Sequence, residues 1–428
     1  MTATETTTSQ PLDEYREQMR AWLKANLEPT DNPMGQFGGG RSGATHMSWE
    51  LLVPERALQA KIYEAGYAGI SWPKEYGGQG LTDAHESIWA DESSGYRLPR
   101  LGVAGGTTFG VCAPTMLAHA SPEYLKRHVV PILRGEELFC QFFSEPGAGS
   151  DLAGVTTRAD RDGDRWVLNG SKIWSSGAAF ADWGMCLART NWDAPKHRGL
   201  TWFAVKIDQP GVTVQPIKEI NGSSEFCQEF FDDVQLSDED VIGEVNNGWR
   251  VAQTMLVFER GAGRAGSDRT PRGPGRLAPD LVGLATRLGR EAEPTVRQLI
   301  AQAHINDYAQ RQLTSRIAGH LRKGGPNSGV AAYGKLASGT LGAARARMAV
   351  EIGGASALTW EPGDEKGAST AVTYLNGRLG GIAGGTNEVQ RNGIGERVLG
   401  LPREPAFDIH KPFREVVRDA ANWTGNES

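Results

Sequence analysis

Apolar residues in the first third of the chain recur at three- and four-residue spacing. In LDEYREQMRAWLKANL, the residues Leu12, Tyr15, Met19, Trp22 and Leu23 fall at helical spacing, and WELLVPERALQAKIYEAGYAG carries a second helical segment that glycines break. A loop containing Gly35 and Gly38 to Gly40 separates the two. SWPKEYGGQGL (71–81), punctuated by Pro73 and Gly77-Gly78, predicts a turn-rich connection, and PEYLKRHVVPILRGE predicts a helix ending near Gly135. From about residue 136 the pattern changes. ELFCQFF, TTRADRDGDRWVLNGSKIW, WGMCLART, LTWFAVKI, GVTVQPI and EFCQEFFDDVQL are short runs rich in aromatic and β-branched residues. Turns such as Arg161-Asp162-Gly163-Asp164 separate them, so six to eight strands are expected. Trp166 to Gly170 followed by Lys172 to Trp174 reads as a hairpin. After Asn246-Asn247-Gly248 the helical period returns in GWRVAQTMLVFER. SDRTPRGPGRLAPD (267–280) reads as an exposed loop. Three helical segments follow: LVGLATRLG, PTVRQLIAQAHINDYAQRQLTSRIAGHL and VAAYGKLASGTLGAARARMAVEIGG, the last with small residues suited to close packing. The expected organisation is an N-terminal helical domain (1–134), a β domain (135–245), a C-terminal helical domain (246–404) and a tail (405–428). A helical bundle interrupted by a barrel or sandwich is the simplest architecture, and its internal borders make a natural cleft.

Composition narrows the function classes. The chain has 428 residues, 39% hydrophobic and 22% charged, with a net charge of −6 and no basic stripe, which argues against a nucleic-acid partner. No apolar run reaches the length of a membrane span. The opening MTATETTTSQPLDEYREQM lacks the basic and apolar regions of a secretory signal. Cys112, Cys140, Cys186 and Cys227 are far apart with no CxxC, so buried free thiols in a reducing, cytoplasmic setting are expected. The triplets at Asn422 and Asn426 carry no weight without a secretory signal. The eight histidines do not cluster and no HExxH occurs, so no metal is expected. GxxxxGK[ST] is absent, and neither Ser144 nor Ser150 lies in a GxSxG elbow. Gly261 to Gly266 matches GxGxxG, but it follows a helix where a dinucleotide fingerprint follows a strand.

Four segments can carry chemistry. SEPGAGSDLAG (144–154) follows a strand-like run, and its glycines and serines suit the carbonyls or phosphates of a cofactor; an ordinary surface turn is the alternative. In GSKIWSSG (170–177), Trp174 between serines can wall a flat cofactor or simply pack at a sheet edge. Glu259 has Leu256, Met255, Ala252 and Val251 on its helical face, so burial is expected to raise its pKa toward that of a general base. Arg260 lies about 100° round the helix; an ion pair of Glu259 with an arginine, closing the helix end, is the alternative. GGIAGGTNEVQRNGIGERVLG (380–400) offers glycines for close backbone approach, with Thr386 and Asn387 able to cap a helix from Glu388.

Taken in order, WPKEYGGQGL (72–81), SEPGAGSDLAG, NGSKIWSSG, FFDDVQL with VIGEVNNGW (241–249), and GGTNEVQRNGIGERVLGLPRE (384–404) resemble the acyl-CoA dehydrogenase family, over about residues 11 to 404. The resemblance implies an α+β fold with an N-terminal helical domain, a middle β-barrel domain and a C-terminal four-helix bundle. It also implies non-covalent FAD and α,β-dehydrogenation of an acyl-CoA thioester in fatty acid or sterol side-chain degradation. By motif match, Phe143, Ser144, Trp174 and Ser176 would meet the flavin ring. Gly149 and Ser150 would lie near the phosphates and the thioester arm, and Gly385, Thr386 and Glu388 would approach the flavin from the other side. Ser150 and Arg260 are the expected substrate contacts. Many members place the catalytic glutamate directly before the Gly-Thr of the last motif, where this chain has Gly384. A smaller set carries it on the helix after the β domain, where Glu259 falls, so Glu259 is the expected base and Gly384 the expected source of a backbone donor to the thioester carbonyl. The RxxFG and Gln-x-x-Gly-Gly segments that grip a neighbour's FAD are replaced by LVGLATRLGREAEPTVR (281–297) and by Val350 before Gly353-Gly354. The expected partners are an electron-transferring flavoprotein and further subunits, in a homodimer, homotetramer or heterotetramer. An oxygen-using oxidase and a non-catalytic structural subunit of a heteromeric dehydrogenase are the alternatives.

Overall fold

The computed structural model describes residues 11–30, 47–259, 277–323, 329–359, 365–406 and 408–422. Helix α1 (Leu12–Asn26) buries Tyr15, Met19 and Leu23, the stripe visible in its sequence. It lies beside α3 (Asp83–Glu92); between them in the chain comes α2 (Trp49–Glu64), capped by the Ser48 hydroxyl, which accepts from Leu51 N. Short helices α4 (Gly102–Thr107) and α5 (Ala113–His119) are joined by a π turn at Thr108–Cys112. Helix α6 (Pro122–Leu133) buries Tyr124, Leu125, Val129 and Ile132 and stops before Gly135, whose φ of 71° ends it as expected.

The strands are β1 (Phe139–Phe142), β2 (Arg158–Asp162), β3 (Arg165–Ser176), β4 (Trp183–Arg189), β5 (Leu200–Lys206), β6 (Val212–Pro216), β7 (Phe226–Leu236) and β8 (Val241–Ile242). They form one sheet in the order β6-β7-β3-β2-β4-β5-β8, with β1 added parallel to the first half of β4. The expected barrel is therefore corrected to an open sheet. Closure would need β6 to pair with β8, and each instead has a single neighbour, β7 and β5 respectively. Alternating short strands with turns between them are common to barrels and open sheets, so the sequence pattern did not separate the two. The expected hairpin at 166–174 is also corrected. Those residues run along the single strand β3, and the hairpin turn lies between Asp162 and Arg165. The register with β7 shifts between Leu168 and Gly170, where β7 carries the extra residue, and Gly170 itself passes so close to Thr157 that a Cβ would come within 2.7 Å of it.

Both faces of the sheet centre are covered. Met185 and Leu187 of β4 join Met116, Leu125 and Val129 of the helices and Val251, Ala252 and Met255 of the next helix in one core. Cys186 and Ala188 face the opposite core with Leu168, Phe203 and Val234. All four cysteines are buried and unpaired. Helix α7 (Gly248–Val257) leaves the sheet across β5, held by the Trp202 indole donating to Gly248 O at 2.8 Å. The C-terminal region holds α8 (Pro279–Arg287), α9 (Pro294–Arg322), α10 (Val330–Gly353), α11 (Glu365–Asn376) and α12 (Asn387–Arg397), and α10 packs against the other four. A final helix, α13 (Phe413–Ala421), returns to the β domain. Among the described residues no helix is long and apolar enough to cross a membrane.

Candidate functional site

The loop after β1 is held by charges buried beneath it. Lys172 of β3 is fully buried and donates to Phe143 O at 3.0 Å and to Glu145 Oε1 at 2.8 Å. Glu145 also accepts from Thr156 N at 2.7 Å, the Thr156 hydroxyl at 2.9 Å and Thr157 N at 2.9 Å. Burial alone would push this carboxyl up; Lys172 and the two amides outweigh it and hold it below the ordinary carboxylate range. Ser144 O accepts from Ile173 N at 2.9 Å, and the Phe143 ring stands edge-on to Trp202, with centroids 4.9 Å apart. Phe143, Ser144 and the Trp174 segment are thus brought together. Beyond them Gly149 and Ser150 are exposed, and a Cβ on Gly147 or Gly149 would meet nothing within 4 Å. That leaves a backbone a ligand can approach.

Trp174 is the extra residue of a bulge in β3, with φ of 66°, a conformation that costs a non-glycine residue of order 1–3 kcal/mol. The residue is 55% exposed, and its ring meets Phe226 edge-on, at 6.0 Å. A strained, outward tryptophan beside a glycine loop has the form of a platform for a planar ring. Beneath it the Ser175 hydroxyl donates to the buried Glu229 at 2.7 Å; burial pushes the Glu229 carboxyl up to about 8. Ser176, half-buried, pairs with Phe226.

The second cluster forms where α7 ends. The regular helix stops at Val257, and a π turn carries Phe258 and Glu259. This widening takes Glu259 out of phase with the stripe of Val251, Ala252 and Met255, so its own helix leaves it exposed, contrary to the burial its spacing predicted. Its Oε1 lies 3.6 Å from the point a Cβ on Gly384 would occupy, and the Lys335 Cε lies 3.3 Å from the same point. Gly384 and Gly385 both have left-handed φ, 67° and 87°. Their carbonyls accept from the buried Gln390 Nε2, each at 3.2 Å. Thr386 caps α12 through its hydroxyl and Val389 N at 3.2 Å. Glu388 is exposed and pairs with Arg391 at 3.1 Å. Close packing fixes this turn to α10: a Cβ on Gly339 would fall 2.6 Å from Gly380 O. The two clusters are joined through Phe143, Trp202 and α7. Arg260 and the Gly261–Gly266 motif lie outside the described residues.

Glu145, Lys172, Glu229 and Gln390 were not singled out in the sequence. For three of them a signal exists. Lys172 shares the strand parity of the buried Trp166 and Leu168, and Glu229 that of Cys227 and Phe231, so each is a charge on an inward face that demands a partner. Glu145 is that partner for Lys172.

The models of three domains match the chain: "Acyl-CoA dehydrogenase, N-terminal domain" over residues 12–136, the "middle domain" over 140–234 and the "C-terminal domain" over 246–399. The chain is 36% identical over 402 residues to acyl-CoA dehydrogenase IpdE1 of Mycobacterium tuberculosis, covering 92% of this chain and 99% of that one. Among solved structures it resembles the Tcur3481-Tcur3483 steroid ACAD, with a TM-score of 0.72 and 29% identity over 92% of this chain and 99% of that one. It also resembles the ChsE4-ChsE5 complex of Mycobacterium tuberculosis, with a TM-score of 0.67 and 26% identity over 94% and 100%.

Proposed function

The chain belongs to the acyl-CoA dehydrogenase family of FAD-dependent oxidoreductases, and from that premise we propose that it introduces a trans-2 double bond into an acyl-CoA, with Glu259 removing the α proton. The observation that carries the assignment of the base is the meeting of Glu259 with Gly384. The carboxylate reaches, from α7, the place where other members bring a glutamate from the turn before α12. The strained Trp174, the Phe143–Ser144 edge and the open backbone at Gly147 to Ser150 fit a flavin ring and its diphosphate, which Gly385, Thr386 and Glu388 would approach from the α12 side. FAD, when bound, supplies the acceptor for the hydride leaving the β carbon.

The chain's own groups do the rest. The backbone at Gly384, bare of a side chain and fixed by Gln390, donates to the thioester carbonyl and stabilises the enolate that forms as the proton leaves. Glu259 is exposed in the chain alone, so the desolvation that raises a carboxylate to a useful base must come from the acyl group covering it. Ser150, exposed on the loop after β1, would contact the thioester arm. Likeness to a protein named a steroid ACAD supports a bulky, ring-bearing acyl group. Likeness to the ChsE4-ChsE5 complex supports assembly with a second, unlike subunit. Electrons leave to an electron-transferring flavoprotein. The test is anaerobic reduction of the purified flavoprotein by short, long, branched and steroid-like acyl-CoAs, with steroid-like thioesters expected to reduce it fastest. Failure of every acyl-CoA to reduce it would overturn the reading, and stoichiometric peroxide in air would reassign the acceptor to oxygen.

A further inference from the structure

The C-terminal segment does not trail away from the molecule. Pro412 bridges to Pro195, Phe413 N donates to Ala194 O at 2.9 Å, and Arg414 N donates to Trp192 O at 3.0 Å. The tail is therefore pinned to the connection after β4 by one β-bridge and the first amides of α13. Two side chains beneath this contact lead back to the loop that follows β1. Lys196 donates to Asp408 of the tail at 2.5 Å and to Asp151 of the loop at 3.1 Å, so one ammonium ties both. Arg189, at the end of β4, is fully buried. It donates to Ala153 O at 2.6 Å and Val155 O at 3.4 Å on the loop, and to Lys196 O at 2.8 Å and Arg198 O at 3.3 Å beyond β4.

The acceptors around Arg189 are backbone carbonyls, which carry no formal charge. A buried guanidinium so placed is under-compensated, and burial draws its pKa down to about 10, against the pull of Glu145 and Asp151. The aromatic face of Phe413, itself 2% exposed, lies 3.8 Å from the Arg189 carbon and supplies the missing negative potential. Trp192 packs against the same ring, tilted, with centroids 5.6 Å apart.

We propose that residues 408–413 are a clasp for the 149–155 loop, with Arg189 and Lys196 as the positioning residues through which the tail acts on cofactor binding. The inference rests on the assignment of Gly149 and Ser150 to the FAD phosphates. Neither residue of the tail touches that surface. Asp408 fixes Lys196 and so Asp151, the residue after Ser150, and Phe413 keeps Arg189 paired to the loop's far end at Ala153 and Val155.

The test measures FAD affinity by flavin fluorescence, and the rise in melting temperature that saturating FAD gives, for the full chain and for Phe413→Ala, Phe413→Tyr and Asp408→Asn. Loss of a desolvated cation–π contact should weaken FAD binding about tenfold in Phe413→Ala, with a smaller loss in Asp408→Asn. The FAD-induced rise should shrink in both and return in Phe413→Tyr, which keeps the aromatic face. A purely structural tail would lower the melting temperature with and without FAD alike and leave the rise unchanged, and that result in Phe413→Ala overturns the clasp. If the unaltered chain neither binds FAD nor is stabilised by it, the cofactor reading itself falls and the clasp with it.

Discussion

Moving the proposed base from the end of α7 to the turn before α12 tests the site's central geometry. Glu259→Gln keeps the side chain's shape and removes its basicity, and loss of a general base costs about 10²–10⁴-fold in the proton-transfer step. The companion variant combines Glu259→Gly with Gly384→Glu. A glutamate's carboxylate oxygens stand three bonds beyond its Cβ, at roughly 1.2–1.5 Å per bond. Since Glu259 Oε1 lies 3.6 Å from the Cβ point of Gly384, a glutamate there can set an oxygen close to the original position. Gly384 has φ of 67°, so the new residue carries the left-handed cost, about 1–2 kcal/mol. The Lys335 Cε, 3.3 Å from the new Cβ, must give way, straining its bond to Gly380 O; about 1 kcal/mol more is a fair figure for that. A total of about 2–3 kcal/mol leaves most domains folded. The assay is anaerobic stopped-flow loss of flavin absorbance on mixing with acyl-CoA. Glu259→Gln should slow the reduction at least about 100-fold, and the combined variant should recover about tenfold or more of that loss. Unimpaired reduction by Glu259→Gln would remove Glu259 as the base. A combined variant that binds FAD and acyl-CoA normally yet stays as slow as Glu259→Gln would refute the convergence of the two positions.

Two further outcomes follow from the buried charges. Lys172→Met leaves Glu145 buried without its cation and should destabilise the fold by about 3–5 kcal/mol in urea denaturation; adding Glu145→Gln should return part of this, and a loss under about 1 kcal/mol would mean the pair is not the loop's anchor. For Glu229, the ordinary carboxyl titrates near 4.5 and the buried one at about 8, so between those values the folded state keeps a proton the unfolded state has released. Its contribution to stability therefore falls as pH rises through that window and is constant above it. Melting temperatures of Glu229→Gln should lack this part of the slope, and an unchanged slope would place the titration elsewhere.

Helices and strands were legible wherever burial follows a period. The stripe of α1, the strands of the β domain and the stop at Gly135 follow directly from spacing and turn chemistry. Legibility failed where a residue interrupts the period without ending the element. Gly170 looks like a turn and lies inside the continuous strand β3, and the π turn at Phe258–Glu259 shifts the phase of the one residue whose burial mattered most. Helices α4 and α5 were not distinguished, because GVAGGT has no apolar stripe to read. Closure of the sheet was out of reach for a different reason: whether β6 meets β8 depends on twist summed over the whole sheet, which no local window carries.

The site itself shows why motif residues and anchoring residues differ. Segments that approach a ligand closely need small side chains, and a glycine-rich backbone is the most expensive to order. Here the order is supplied from behind. Gln390 ties down the carbonyls of Gly384 and Gly385, the Glu145–Lys172 pair ties down Phe143 and the threonines at 156 and 157, and Glu229 holds the serine after Trp174. None of these anchors needs to touch a reacting atom. Preorganisation of this kind removes an entropic cost that binding would otherwise meet, so it acts first on affinity and only through geometry on rate. Glu259 is the exception. It stands exposed at the end of its helix beside the turn at Gly384, and in the proposed reaction the acyl group it deprotonates covers it. On that proposal substrate binding poises the base, and a poorly fitting acyl group should fail in proton abstraction even where its CoA portion binds well.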